Sequence, residues 1–326
     1  MDPIRSAHEH DRGPLSLWHR DWLDAYPGHV PSSLSYPSVP VSHLLECSAR
    51  RFPERPGCTL FGAVRTYAQL ADMAHRLAAA LATLGAGRGA RVGMLLPNSP
   101  EYIVALQATW LTGATALQLS PLMVPEEIEK WVRLMGCRTV VTLDLLAPKL
   151  NGALEQKLLD HLVVASLADH LGAFRRWLYR VERMRRNGVV RLRDNGSVHC
   201  FDNLLRTHPR PLHPAIVPEE DVAVLSPTGG TTASPKAVML THRNLVANAL
   251  QLRAWTGGED GTEGVLAVLP FFHAYGLSAC LLTSLAMGAT VHLHPRFEAG
   301  AVLTLLERHR VELVPAVPAM LVALNR

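Results

Sequence analysis

The 326-residue sequence has few cysteines, few lysines and no long apolar run. Its five cysteines (Cys47, Cys58, Cys137, Cys200 and Cys280) are odd in number, widely spaced and without a Cys-x-x-Cys pair. That pattern argues against a disulfide framework and for a reducing cytoplasm. Sixteen histidines are present, but none shows the HExxH or Cys/His spacing that binds zinc, so no resident zinc is expected. No stretch of about 20 apolar residues is uninterrupted, because 103–122 is broken by Gln107, Thr112, Gly113 and Gln118. A membrane-spanning helix is therefore not expected. The N-terminal Met1–Gly13 stretch carries charge but no apolar segment, which argues against a secretory signal. With 48% apolar and 18% charged residues, the chain has too much to bury to remain disordered.

Helix and strand signals alternate along the chain. Thr66-Tyr-Ala-Gln69 has the form of a capping box, opening a helix with Leu70, Met73, Ala74, Leu77, Leu81 and Leu84 on one face and Gly85 at its end. A short apolar run at 91–96 reads as a buried strand, closed by the turn Pro97-Asn-Ser-Pro100. A helix to about Leu111, a run at 114–119, a helix opened by Pro125-Glu-Glu127 and a run at 139–142 follow. A second series places strands at 222–225, 265–269, 289–293 and 311–314, with helices at 241–255, 276–287 and 299–309. The expectation is an α/β protein of two stacked, mostly parallel sheets with flanking helices. Its parts are an irregular leader over 1–40, a first α/β subdomain over 41–145, a basic insert over 146–216 and a second subdomain over 217–326.

The insert interleaves Arg175, Arg176, Arg180, Arg183, Arg185, Arg186, Arg191 and Arg193 with Phe174, Trp177, Leu178, Tyr179 and Met184. Such a segment can lie on an anionic membrane surface, or it can be a solvated helix face whose arginines pair with acids elsewhere. The first reading would put peripheral membrane contact at 174–193 on a cytoplasmic protein. No motif for nucleic-acid binding accompanies the patch, so no nucleic-acid partner is expected.

One segment carries chemistry: Leu225-Ser-Pro-Thr-Gly-Gly-Thr-Thr-Ala-Ser-Pro-Lys236, followed by Ala237-Val-Met-Leu-Thr-His-Arg-Asn244. Small residues such as Gly229 and Gly230 let backbone N–H groups converge on a phosphate. Thr228, Thr231, Thr232 and Ser234 add hydroxyls, and Lys236 adds charge. Only four of the 32 basic residues are lysines (Lys130, Lys149, Lys157 and Lys236), so an ammonium in this loop departs from the chain's habit. A compact charge on a flexible stem suits a phosphate that must move and depart. The loop is not a Walker A motif, because no Gly-Lys-Ser/Thr follows at the required spacing. Its flanks read as two strands of a hairpin, with Thr241 capping the next helix.

At these residues the sequence resembles the adenylate-forming superfamily, and within it the fatty acyl-CoA synthetases. Their phosphate loop reads Thr, two small residues, Thr-Thr-Gly, any residue, Pro-Lys-Gly, then an apolar strand and Thr-His-Arg-Asn. Further landmarks are Trp22-Leu-Asp-Ala-Tyr-Pro27, Arg51-Phe-Pro-Glu-Arg-Pro56, Thr66–Leu70, Leu95-Leu-Pro-Asn-Ser99 and Leu269-Pro-Phe-Phe-His-Ala-Tyr-Gly276. Pro295-Arg-Phe-Glu298 through Val314-Pro-Ala-Val-Pro318 continues the likeness.

The resemblance implies an acid–thiol ligase that activates a carboxylate, such as a fatty acid, with Mg-ATP and passes the acyl group to coenzyme A. It implies that 228–236 holds the polyphosphate, with Lys236 on the departing pyrophosphate and Thr228 offering its hydroxyl to Mg²⁺. It also implies that Phe272, His273 and Tyr275 line the way in for the acyl chain. A packed core histidine is the alternative for His273. Ala233 and Ala237 stand where the family has glycines. The family's adenine-binding segment, ribose-holding acid and lysine-bearing C-terminal domain have no counterpart before Arg326. The expectation is therefore an incomplete piece of such a ligase, weakly active or inactive alone, with homo-oligomerisation left open. A non-enzymatic scaffold keeping phosphate or acyl binding, and an adenylating enzyme serving a carrier protein, are the alternatives.

Overall fold

The computed structural model describes residues 21–170, 196–206, 212–228 and 236–326. The elements run α1 (His43–Arg51), β1 (Pro56–Leu60), β2 (Ala63–Thr66), α2 (Tyr67–Thr83), β3 (Arg91–Leu95), α3 (Pro100–Leu111), β4 (Thr115–Gln118), α4 (Pro125–Leu134) and β5 (Thr139–Leu143). They continue with α5 (Asn151–Glu155), β6 (His161–Ala165), β7 (Val198–Cys200), α6 (Phe201–Leu204), β8 (Val222–Pro227), β9 (Ala237–Thr241), α7 (His242–Thr256) and β10 (Gly264–Ala267). A π-helical turn, Gly276–Leu282, runs into α8 (Thr283–Met287), and β11 (Thr290–Leu293), α9 (Ala299–His309) and α10 (Pro318–Leu324) close the chain.

Local signals set most boundaries. The Thr66 hydroxyl accepts from the Gln69 N–H at 3.2 Å, and the Gln69 side chain accepts from the Thr66 N–H at 3.0 Å, completing the capping box of α2. Ser99 caps α3 through the Tyr102 N–H, and Pro100 takes the first helical position, where its missing donor costs nothing. The same reciprocal box recurs at α7, between Thr241 and Asn244.

Two sheets result, as expected for this fold class. The larger has seven strands in the order β7-β6-β5-β3-β4-β8-β9, and the smaller has four in the order β10-β11-β1-β2. All pairs are parallel except β1–β2 and β8–β9. Both sheets draw strands from both sequence series: β1 pairs with β11, and β4 pairs with β8.

The helix α3 is predominantly apolar and buried from Pro100 through Trp110, as suits a helix with no solvent face. One core joins α2 and α3 to inward residues of both sheets, such as Cys58 and Leu60 of β1, Val92 and Met94 of β3, and Leu266 of β10. Strand alternation sends Leu162 and Val164 of β6 to the opposite face, where Ile128, Trp131 and Val132 of α4 cover them.

Three sequence expectations change. The run at 311–314 forms no strand; Leu313 makes a single parallel bridge to Val265, and Pro315 next to Val314 has no N–H to extend the ladder. Residues 161–165 and 198–200, inside the stretch read as a basic insert, are strands that widen the large sheet. The segment read as a plain helix over 276–287 starts as a π-helix, in which the Thr283 hydroxyl donates to Ser278 O at 2.9 Å. The arginine-rich 174–193 segment lies outside the described residues. Among the described residues, no helix is long and apolar enough to cross a membrane.

Candidate functional site

The hairpin expected around the small-residue loop is present. Its strands β8 and β9 pair antiparallel, with Pro227 opposite Ala237 and Ser226 opposite Val238. At its mouth, the Thr228 N–H donates to Lys236 O at 2.9 Å, and the Thr228 hydroxyl reaches the same oxygen at 3.1 Å. Thr228 and Lys236 are therefore brought together, and both are exposed. Gly229, Gly230, Thr231, Thr232 and Ser234 lie outside the described residues.

The mouth stands at the carboxyl end of β8. Its parallel neighbour β4 is in register through Ala116–Val224 and Leu117–Leu225, so Gln118 and Ser120 flank the same edge. Ligands of open α/β sheets collect outside the carboxyl ends of the strands. The strand is anchored from behind: Trp110 Nε1 donates to Ala223 O at 2.9 Å, and the Thr115 hydroxyl donates to Val222 O at 2.7 Å.

The second cluster follows β10. Phe271 is buried, Phe272 is half-buried, and His273 and Tyr275 are exposed. The Phe272 and His273 rings lie 4.6 Å apart at 51°. His273 is thus a surface group beside an aromatic ring, not a core histidine. Gly276 is required here by close approach. A Cβ on it would stand 2.1 Å from Pro270 O and 2.7 Å from Leu269 O, both fixed backbone atoms.

A cleft of about 410 Å³ runs between Leu240 of β9, Asn244, Leu245 and Asn248 of α7, and Ala274, Tyr275, Leu277 and Ser278. The strand that begins at the loop mouth thus ends against the same cleft as Tyr275. A larger cavity of about 650 Å³, bordered by Glu46, His75, Trp110 and His213, is lined by none of these motif residues.

The sequence matches the AMP-binding enzyme family over residues 45–326. The chain belongs to that family. A long-chain-fatty-acid–CoA ligase of Bacillus subtilis (strain 168) is 32% identical over 308 residues, covering 94% of this chain and 55% of its own length. A 4-coumarate–CoA ligase 1 of Oryza sativa subsp. japonica is 33% identical over 300 residues, covering 85% of this chain and 47% of its own. The crystal structure of a long-chain-fatty-acid-CoA ligase (FadD1) from Archaeoglobus fulgidus superposes with a TM-score of 0.74 over 90% of this chain and 54% of that one, at 24% identity. The chain therefore spans about half the length of the relatives it matches.

Within this AMP-binding chain, His242 of the Thr-His-Arg-Asn run has a role that the sequence did not reveal. It is buried, and its Nδ1 accepts the Val41 N–H at 3.2 Å, fixing the segment before α1 to the start of α7. The next residue, Arg243, pairs with Glu219 at 3.0 Å. Magnesium is a different matter. Among the described residues, no group of three or more His, Cys, Asp or Glu side chains could hold a metal ion. Thr228 brings a single hydroxyl, which is already directed at Lys236 O. Donating that proton leaves the Thr228 oxygen's lone pairs available, so this hydroxyl would hold a magnesium ion whose other ligands are phosphate oxygens and water.

Proposed function

We propose that this chain carries the polyphosphate-binding and acyl-binding parts of an ATP-dependent acid–thiol ligase acting on a long-chain fatty acid. The reaction has two steps. A carboxylate oxygen attacks the α-phosphorus of ATP, the α–β phosphoanhydride bond breaks, and pyrophosphate leaves. The coenzyme A thiolate then attacks the acyl carbon, and AMP leaves. The observation that carries this reading is the hairpin mouth, where Thr228 and Lys236 close a small-residue loop at the carboxyl end of a parallel sheet. Anion must meet anion in the first step, so the protein's task is to balance charge. The Lys236 ammonium and the loop's N–H groups would stabilise the departing pyrophosphate. Tyr275 would border the carboxylate's tail at the cleft beside β9, with Phe272 and His273 preceding it on the same turn. The ligases among the relatives support the reaction class, and the fatty acid is the substrate we favour within it.

Calorimetric titration of ATP into the chain and into Lys236→Met tests this. Removing a charge-assisted contact should weaken binding by roughly tenfold or more. Equal affinities in the two proteins would remove the phosphate role from Lys236, and palmitate-dependent ATP–pyrophosphate exchange then reads whether the first step occurs.

A further inference from the structure

Phe272 and His273 lie at or near the surface, and their place is set by the backbone that carries them. That backbone is gripped from the other sheet. Asn98, buried just past β3, donates from Nδ2 to Ala267 O at 3.0 Å and Leu269 O at 2.8 Å. Its Oδ1 accepts the Phe271 N–H at 2.8 Å. One side-chain amide thus spends both donors and an acceptor on a single turn.

Tyr102 of α3 grips the same residue from its other side. Its hydroxyl oxygen lies 3.0 Å from Phe271 O and 2.5 Å from the Gln118 side-chain amide. A phenol has one proton and cannot donate fully to two oxygens. With the Gln118 amide oxygen facing Tyr102, Gln118 Nε2 is buried without a partner. Turning the amide over resolves both problems, since only the hydrogen-bond network tells its two ends apart. Gln118 Nε2 then donates to Tyr102 Oη, and Tyr102 donates to Phe271 O. No donor among these three groups is left idle.

We propose that Asn98 and Tyr102 are positioning residues for the acyl end of the site, holding the 269–273 turn, and with it Phe272 and His273, against the carboxyl end of β4. This rests on the reading of Tyr275, with Phe272 and His273 before it on the turn, as the carboxylate's border. Its consequence is geometric. Gln118 ends the strand that neighbours β8, so one hydrogen-bonded chain ties the turn to the edge that carries the phosphate loop.

Tyr102→Phe removes the hydroxyl and keeps the ring, and Gln118→Met removes the amide while leaving Tyr102 free to donate to Phe271. Three measurements decide: hydrogen exchange of the 269–273 amides by mass spectrometry, affinity for a dansyl-labelled long-chain fatty acid, and affinity for ATP. In Tyr102→Phe the turn should exchange faster and the fatty-acid probe should bind about fivefold more weakly, the size of one neutral hydrogen bond. ATP affinity should not change. Gln118→Met should weaken the probe less than Tyr102→Phe does, because Tyr102 still donates to Phe271 O, and a loss as large as that of Tyr102→Phe would overturn the role given to the Tyr102–Phe271 bond. Asn98→Ala should exceed Tyr102→Phe in exchange rate, provided that it folds. Unchanged exchange in Tyr102→Phe overturns the proposal, as does an equal loss of ATP and probe binding, which would mark general loosening. If the wild-type chain binds ATP but no probe, the acyl reading itself fails. The exchange data would still decide whether the two residues hold the turn.

Discussion

Stability of this chain should fall steeply as pH drops from neutrality, and His242 is the place to test it. Its Nδ1 accepts the Val41 N–H, which a protonated nitrogen cannot do. Burial lowers its pKa from the usual 6.5 to about 4, against the opposing pull of Asp221. His292, buried with its Nδ1 3.0 Å from the Thr59 hydroxyl, is lowered to about 4 as well, first by burial and then by its stacked neighbour His309. Between these values the unfolded chain binds protons that the folded chain refuses. The stabilisation is therefore complete above about 6.5 and is lost as pH falls towards about 4. His242 contributes up to about 1 kcal/mol per pH unit in that window, and the less enclosed His292 contributes less. His242→Asn keeps an acceptor near the position of Nδ1 and removes the titration. Urea unfolding of both proteins at several pH values from 7 to 5 measures the effect. The variant should lose about 1 kcal/mol at neutral pH through its smaller side chain. Its stability should then decline with a slope shallower by about 1 kcal/mol per pH unit on average over this range. A variant as acid-sensitive as wild type would refute the reasoning.

Two further variants probe the two ends of the site. Gly276→Ala places a methyl group against Pro270 O and Leu269 O, so the turn must shift; the urea midpoint should fall by an amount equivalent to about 1–3 kcal/mol, and an unchanged midpoint would show that the approach is not tight. Ala233→Gly places glycine where the resemblance to the fatty acyl-CoA synthetases implies one; relief on the order of 1 kcal/mol should tighten ATP binding about fivefold, and equal affinities by calorimetry would refute it.

What the sequence made legible was whatever neighbouring residues decide among themselves. The capping boxes at Thr66 and Thr241, the proline at the start of α4 and the hairpin flanking the loop all depend on partners within a few residues, and each stands where its signal lay. The apolar run at 311–314 carried the same local signal as a true strand and failed, because a strand needs a neighbour along its length and Leu313 has only one bridging residue. The order of strands was not legible for the same reason: Cys58 pairs with Val291, and nothing near Cys58 in the chain announces it.

The residues that set the candidate site were hidden by distance, not by chemistry. Asn98 sits between two prolines in a stretch that reads as a turn, and a turn asparagine ordinarily bonds to its own backbone within a few residues. Its partners instead lie 169, 171 and 173 residues onward, at the end of a strand in the other sheet. His242 likewise reads as one letter of a motif until Val41, 201 residues earlier, is seen to donate to it. The small-residue loop is carried by the large sheet and the 269–273 turn follows a strand of the small one. Their relation is set by the apolar core that both sheets share and by buried polar groups that cross between them. In a protein interior such groups are costly unless fully paired, and Asn98 meets that condition with three bonds.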